Sequence, residues 1–278
     1  MGKVKLNQDG ISQEDKQLAT AVRNKLIAGD RVIGDPGEGL RQTLVKLEKQ
    51  RDNYKKNMSL TEWEMKDIEL ESQISMTKAG IEGEEKLCHY LEQLVKYDDK
   101  LEGLVAFASL SYQQENNDKE YIPDTDTLLV YGNNLLIIDA KNLKVKPNQA
   151  LMVTGGVIVD ADKGKEILEV HPSTQIWQRI MVRAGIPIDT INGYVCIVGD
   201  TPVEIIRDDE WHACQTKLIH ISELKDILEE WIYNSTSKEL DGSVTISLRL
   251  LTEIAKCQIK KEKDISFDIA AFKQKFGV

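Results

Sequence analysis

The stretch Tyr121 to Asn142 reads Tyr-Ile-Pro-Asp-Thr-Asp-Thr-Leu-Leu-Val-Tyr-Gly-Asn-Asn-Leu-Leu-Ile-Ile-Asp-Ala-Lys-Asn, and it carries the residues best suited to chemistry. Asp124 and Asp126 enter one apolar run, and Asp139 and Lys141 leave the next. In a strand, residues two apart share a face, so Asp139 and Lys141 point together while Ala140 points away. Gly132-Asn133-Asn134 between the runs predicts an antiparallel hairpin, which folds Asp126 or Asp124 back beside that pair. Two carboxylates and an ammonium on one patch make a candidate hard-metal site, because Mg²⁺ prefers oxygen ligands and keeps several waters. The competing reading is that charged strand ends mark where a sheet meets water.

The elements that must position these groups are legible from periodicity. A helix is expected over about Ser12 to Ile27, followed by a Gly-Asp-rich turn through Gly37. Leu40, Leu44, Leu47 and Tyr54 predict a second helix. Ser59-Leu60-Thr61-Glu62 forms a capping-box start for a third, carrying Leu60, Trp63, Leu70 and Ile74 on its stripe. These two should make a helical hairpin turning near Met58, with a charged outer surface that either is solvated or serves as an assembly arm. After Thr77 a new helix is expected from Gly80, with Leu87, Leu91, Leu94 and Val95 inward. Strands follow at Leu104 to Tyr112, in the hairpin, and in a further hairpin around Gly155-Gly156. A helix is expected over Ser173 to Ala184, then strands at Gly193 to Gly199 and Lys217 to Ile221, and a helix from Ser222 to about Tyr233. In the tail, Val244 to Leu248 suits a strand and Leu250 to Lys261 a helix. The order predicts an α/β protein with a mixed central sheet flanked by helices. Two regions are expected: residues 1–77, a helical N-terminal extension, and residues 78–278, the α/β domain with a C-terminal extension.

Composition bounds the function. With 41% hydrophobic and 29% charged residues the 278-residue chain can build an ordinary core. No apolar run approaches the roughly 20 residues needed to cross a bilayer, so no membrane partner is expected. The first residues lack the apolar segment of a secretory signal. Four scattered cysteines, Cys88, Cys196, Cys214 and Cys257, contain no Cys-x-x-Cys pair and suit reduced thiols in a cytoplasmic protein. His212 with Cys196 and Cys214 lacks a zinc framework. The 36 basic and 46 acidic side chains give a net charge of −10, which argues against coating nucleic acid by bulk attraction but leaves room for a local basic groove. Lys141, Lys144 and Lys146 cluster at the hairpin's exit.

Gly80-x-x-Gly83-Glu84 opening a helix, Asp126, Asp139-Ala140-Lys141-Asn142, and His171-Pro172-x-x-Gln175 opening a second helix together resemble the NERD, or nuclease-related, domain of the restriction-endonuclease-like PD-(D/E)xK superfamily. The resemblance covers about residues 80–235. Asp139 stands where Glu is commoner and His171 where Asn is commoner. It implies a restriction-endonuclease-like core and a nuclease dependent on Mg²⁺ or Mn²⁺, cutting DNA ahead of RNA, as an endonuclease or nickase. In that reading Asp126, Asp139, Glu84 and the Ala140 carbonyl would hold the metal. Lys141 would orient or deprotonate the attacking water, and Gln175 would position phosphate or water. The resemblance also favours Asp126 over Asp124, because 13 residues from Asp126 to Asp139 match the family's spacing. The alternative from another class is a catalytically weak nucleic-acid-binding or assembly factor on the same fold, homo-oligomeric or docked to a protein partner through its N-terminal helices.

Overall fold

A computed structural model describes residues 4–13, 15–111, 125–146, 149–154, 156–169, 174–209, 216–235 and 244–258. Its organising element is the hairpin of β4 (Thr125–Tyr131) and β5 (Asn134–Lys141). The antiparallel register runs from Tyr131 opposite Asn134 to Thr127 opposite Ile138. The turn is therefore the two residues Gly132 and Asn133, and Gly132 at φ 59° occupies the position where a type II′ turn requires glycine. Leu128, Leu129, Leu135, Leu136 and Ile138 are fully enclosed, as expected for strands covered on both faces.

Four further strands complete a six-stranded mixed sheet. β3 (Val105–Leu110) pairs antiparallel with β4, while β9 (Thr190–Ile197) lies parallel to β5 and β11 (Thr216–His220) parallel to β9. The far edge is β2 (Val32–Ile33), two residues long and parallel to β3, which the sequence pattern does not reveal. A second sheet of β6 (Ala150–Thr154), β7 (Val157–Asp160), β8 (Lys165–Glu169) and β10 (Glu204–Ile205) has its own small core of Leu151, Val153 and Ile158 against Val195, Ile197 and Leu218. The β6–β7 hairpin matches expectation; β8 and β10 were not anticipated.

Six α-helices occur among the described residues: α1 (Lys16–Ala28), α2 (Glu38–Asn57), α3 (Leu60–Tyr97), α4 (Thr174–Ala184), α5 (Leu224–Asn234) and α6 (Leu248–Lys256). Trp177, Ile180 and Met181 seat α4 in the main core, and Leu224, Leu228 and Ile232 do the same for α5. α6 packs against α1, and β1 (Val4–Asn7) pairs parallel with β12 (Val244–Ser247).

Two expectations need correction. The new helix predicted after Thr77 is a continuation, for α3 runs unbroken for 38 residues past Gly80 and Gly83. Glycine inside a helix costs about 1 kcal/mol relative to alanine, and close packing explains its use here. A Cβ on Gly80 would lie 2.7 Å from Leu40 Cδ1, and one on Gly83 would lie 3.1 Å from Asn142 Cβ. The glycines let α3 pass tightly by α2 and the end of β5. The division at residue 77 also fails to match the packing. Ala19, Val22, Leu26 and Ile33 belong to the main core, so the region that stands off is the α2 and early α3 hairpin, where no residue from Gly39 to Glu69 is buried. The capping box of Ser59 and Glu62 forms as expected.

Candidate functional site

Continued by one residue, the β4–β5 register would set Asp126 directly opposite Asp139, but the ladder stops at Thr127 and Ile138. The Asp126 side chain takes over the pairing: its Oδ2 accepts a hydrogen bond from the Ala140 backbone N–H at 2.7 Å. A side-chain hydrogen bond links Asp126 to Asp139. Lys141 Nζ donates to Asp139 Oδ1 at 2.6 Å, as their shared strand face demands. Asp126, Asp139 and Lys141 thus meet at one point, all three partly exposed.

Glu84 reaches the same cleft from α3. It is buried, and its Oε2 accepts from the Gly37 backbone N–H at 2.8 Å and from Ser109 Oγ at 3.4 Å. A cleft of about 460 Å³ opens over these groups, lined among others by Glu84, Ser109, Asp126, Ala140, Lys141 and Met76. Asn142 ties the end of β5 to α3 through Nδ2 to the Ala79 carbonyl at 3.0 Å.

The charges are strongly interdependent. Burial, then the neighbouring charges of Asp139 and Glu84, hold the Asp126 carboxyl well above the usual carboxylate range. Burial also raises Glu84, against the Gly37 and Ser109 hydrogen bonds. For Lys141, burial would lower the pKa, but Asp139, Asp126 and Glu84 outweigh it and keep the ammonium charged beyond its ordinary range. Three carboxyl groups surround one ammonium.

Ser109 is a contributor that no motif announces. At φ 51° it is the one non-glycine residue with left-handed backbone among those described. The β3–β4 ladder pairs Ala108 with Thr127 and Leu110 with Thr125, skipping Ser109 and Asp126 between them. Such a conformation costs on the order of 1–3 kcal/mol and persists where surroundings fix it. Here the Glu38 backbone N–H donates to Ser109 Oγ at 3.2 Å while that hydroxyl faces Glu84. A polar residue interrupting the apolar run Val105 to Leu110 is the only trace in sequence. Gly37 was missed as well, because its partner lies 47 residues away.

Gln175 is not among the residues that line the acidic cleft. It sits exposed on α4 and lines a separate groove beside β9, although Trp177 Nε1 on the same helix donates to Thr125 Oγ1 at 3.0 Å, next to Asp126. Asp124, His171, Pro172, His212 and Cys214 lie outside the described residues. His220 is a structural residue, bonded to Ser222 Oγ and the Gly199 carbonyl.

Among the described residues no three His, Cys, Asp or Glu side chains form a ready-made metal cage. Asp126 and Asp139 offer a carboxylate pair instead, with one Asp139 oxygen turned to Lys141. An all-oxygen pair suits a cation such as Mg²⁺, which binds through one or two carboxylates and keeps its waters.

Fold and site together define an α/β protein with a mixed central sheet and an acidic, lysine-bearing cleft at the end of its central hairpin. No protein-family model matches the sequence, and no curated protein matches it. Among solved structures, the crystal structure of protein VC1899 from Vibrio cholerae is similar at 13% identity and a TM-score of 0.29. The alignment covers 82% of this chain, which spans 58% of that one. No described helix is long and apolar enough to cross a membrane.

Proposed function

We propose that this chain is a metal-dependent nuclease with a restriction-endonuclease-like core, hydrolysing phosphodiester bonds of DNA ahead of RNA by endonucleolytic cutting or nicking. The observation that carries the reading is the meeting of Asp126, Asp139 and Lys141, with Asp126 and Lys141 lining a cleft that Glu84 also lines from α3. An acid cluster that were only a solvated strand end would not raise the Asp126 carboxyl so strongly, nor draw a buried glutamate from another element.

Asp126, Asp139 and the Ala140 carbonyl are the groups to hold Mg²⁺ or Mn²⁺, with Glu84 beside them. When bound, such an ion supplies Lewis-acid stabilisation of phosphoryl charge and a more acidic water. Lys141 brings a full positive charge to the scissile phosphate, and Asp139 fixes where its Nζ sits. The bond from the Ala140 N–H holds Asp126 toward the cleft, and Ser109 with Gly37 orients Glu84. Cys88 is buried, free and pushed up to about 12 by burial, so it packs rather than reacts; unpaired, buried Cys88, Cys196 and Cys257 accord with a cytoplasmic setting.

The test is nicking of supercoiled plasmid in Mg²⁺ or Mn²⁺ against EDTA. Asp139→Asn and Lys141→Ala are each expected to lower the rate at least about 100-fold while melting cooperatively; undiminished cutting by both overturns the assignment.

One observation favours the assembly reading as an accompaniment. Met65, Ile68 and Met76 share a face of α3 and are 67%, 74% and 64% exposed. Light scattering on the full chain checks this, with Met65→Lys/Ile68→Lys expected to shift a self-associated species toward monomer.

A further inference from the structure

A second concavity lies outside the acidic cleft and takes no part in the chemistry above. It is a groove of about 1010 Å³ between the outer face of α4 and β9, reaching Lys217 of β11. In a chain of net charge −10, its lining holds three cations, Arg179, Arg183 and Lys217, against the single acid Asp189. Another concavity, near Asp98, Asp99 and Glu102, is predominantly acidic. A polyanion would be repelled there and tolerated in the α4–β9 groove.

The layout of the groove is linear. Gln175, Arg179 and Arg183 follow one another at i, i+4 and i+8 along α4, one turn and about 6 Å apart, the scale of successive phosphates in a strand. Arg179 and Arg183 are both exposed. The amides of Gln178 and Asn192 and the ring of Tyr194 complete the wall, offering hydrogen bonds and a stacking face of the kind unpaired bases use. The groove also has a direction. On β9, Tyr194 pairs with Ile138 of β5, one residue before Asp139, and at the start of α4 Trp177 bonds to Thr125, which lines the acidic cleft. The start of α4 therefore contacts a wall residue of the acidic cleft.

We infer that the α4–β9 groove binds the phosphate backbone of a single-stranded polynucleotide and leads it to the acidic cleft. The inference deepens the nuclease reading and takes its functional sense from it. It also gives Gln175 a place: a contact on the approach, rather than a member of the cleft.

Binding is measured by fluorescence anisotropy in EDTA, with labelled single-stranded DNA, single-stranded RNA of the same sequence, and the DNA duplex as separate arms. The full chain is expected to bind the single strands more tightly than the duplex. Arg179→Glu/Arg183→Glu should weaken that binding at least about tenfold and reduce the dependence of log affinity on log salt by about 1.4, from two phosphate contacts at about 0.7 each. Arg179→Gln/Arg183→Gln, which keeps side-chain bulk without charge, should fall between, and circular dichroism checks that both variants fold. Unchanged affinity in the charge-reversed protein, preference for the duplex, or no binding by the parent chain overturns the inference. Plasmid cutting is scored separately. Loss of single-strand binding in a protein that never cuts would uphold the groove and defeat the nuclease reading. Cutting that persists with unchanged single-strand affinity in the charge-reversed protein would do the reverse.

Discussion

Asp126→Asn is expected to stabilise the protein while abolishing its activity. Asparagine keeps an oxygen to accept from the Ala140 N–H, now at 2.7 Å from Asp126, and gains an amide to donate to Asp139. What disappears is the penalty of a carboxyl crowded by burial, Asp139 and Glu84. An acid whose pKa is raised by folding subtracts nothing below its unfolded pKa, and subtracts progressively more as pH climbs toward the folded value. The ceiling at pH 7 is the cost of keeping the carboxyl protonated. Lost attraction to Lys141 offsets part of it, leaving on the order of 1–2 kcal/mol, in the range of stabilising substitutions at strained sites. Urea denaturation in EDTA at pH 7.5 and pH 4.5 measures it. The variant should be the more stable at pH 7.5, with the difference shrinking toward pH 4.5, and plasmid nicking should be lost. A variant less stable than the parent at both pH values, or a gap that widens on acidification, refutes the account of the cleft's charges.

Further outcomes are expected elsewhere. Gly83→Ala should destabilise by about 1–3 kcal/mol in chemical denaturation, because its Cβ meets Asn142 Cβ at 3.1 Å and Val198 Cγ2 at 3.3 Å, whereas Gly80→Ala meets only the movable end of Leu40 and should cost less. The Lys225 hydrogen bond, with the Lys100 N–H, lowers the Asp98 pKa, so its contribution is present above about pH 4 and lost as pH falls through the lower folded value. Asp98→Asn should therefore lower the Tm at pH 7 and leave a smaller difference near pH 2.5. Tyr131→Phe should raise the Tm slightly, since the Tyr131 hydroxyl is buried without a partner among the described residues and such groups cost about 1–3 kcal/mol.

The central hairpin was readable because both its signals are local: apolar runs of strand length and a glycine where the turn needs one. The alternation that put Asp139 and Lys141 on one face is likewise a property of neighbouring residues. What sequence could not show depended on distant partners. β2 is a strand only because β3 lies beside it, and Gly80 and Gly83 read as a break until their close approach to Leu40 and Asn142 is seen. Ser109 and Gly37 join the cleft through contacts across 25 and 47 residues, beyond any local motif. Gln175 enters only through the resemblance, as a group to position phosphate or water, and a motif does not fix which side of a helix a residue faces.

The unbroken course of α3 has a mechanical consequence. From Leu60 to Glu84 the rod extends about 36 Å, joining the tip of the projecting hairpin to the buried glutamate without a joint between them. Pivoting by about 5° at the glutamate swings the far end by about 3 Å over that length. Restraining the tip therefore restrains the orientation from which Glu84 enters the cleft.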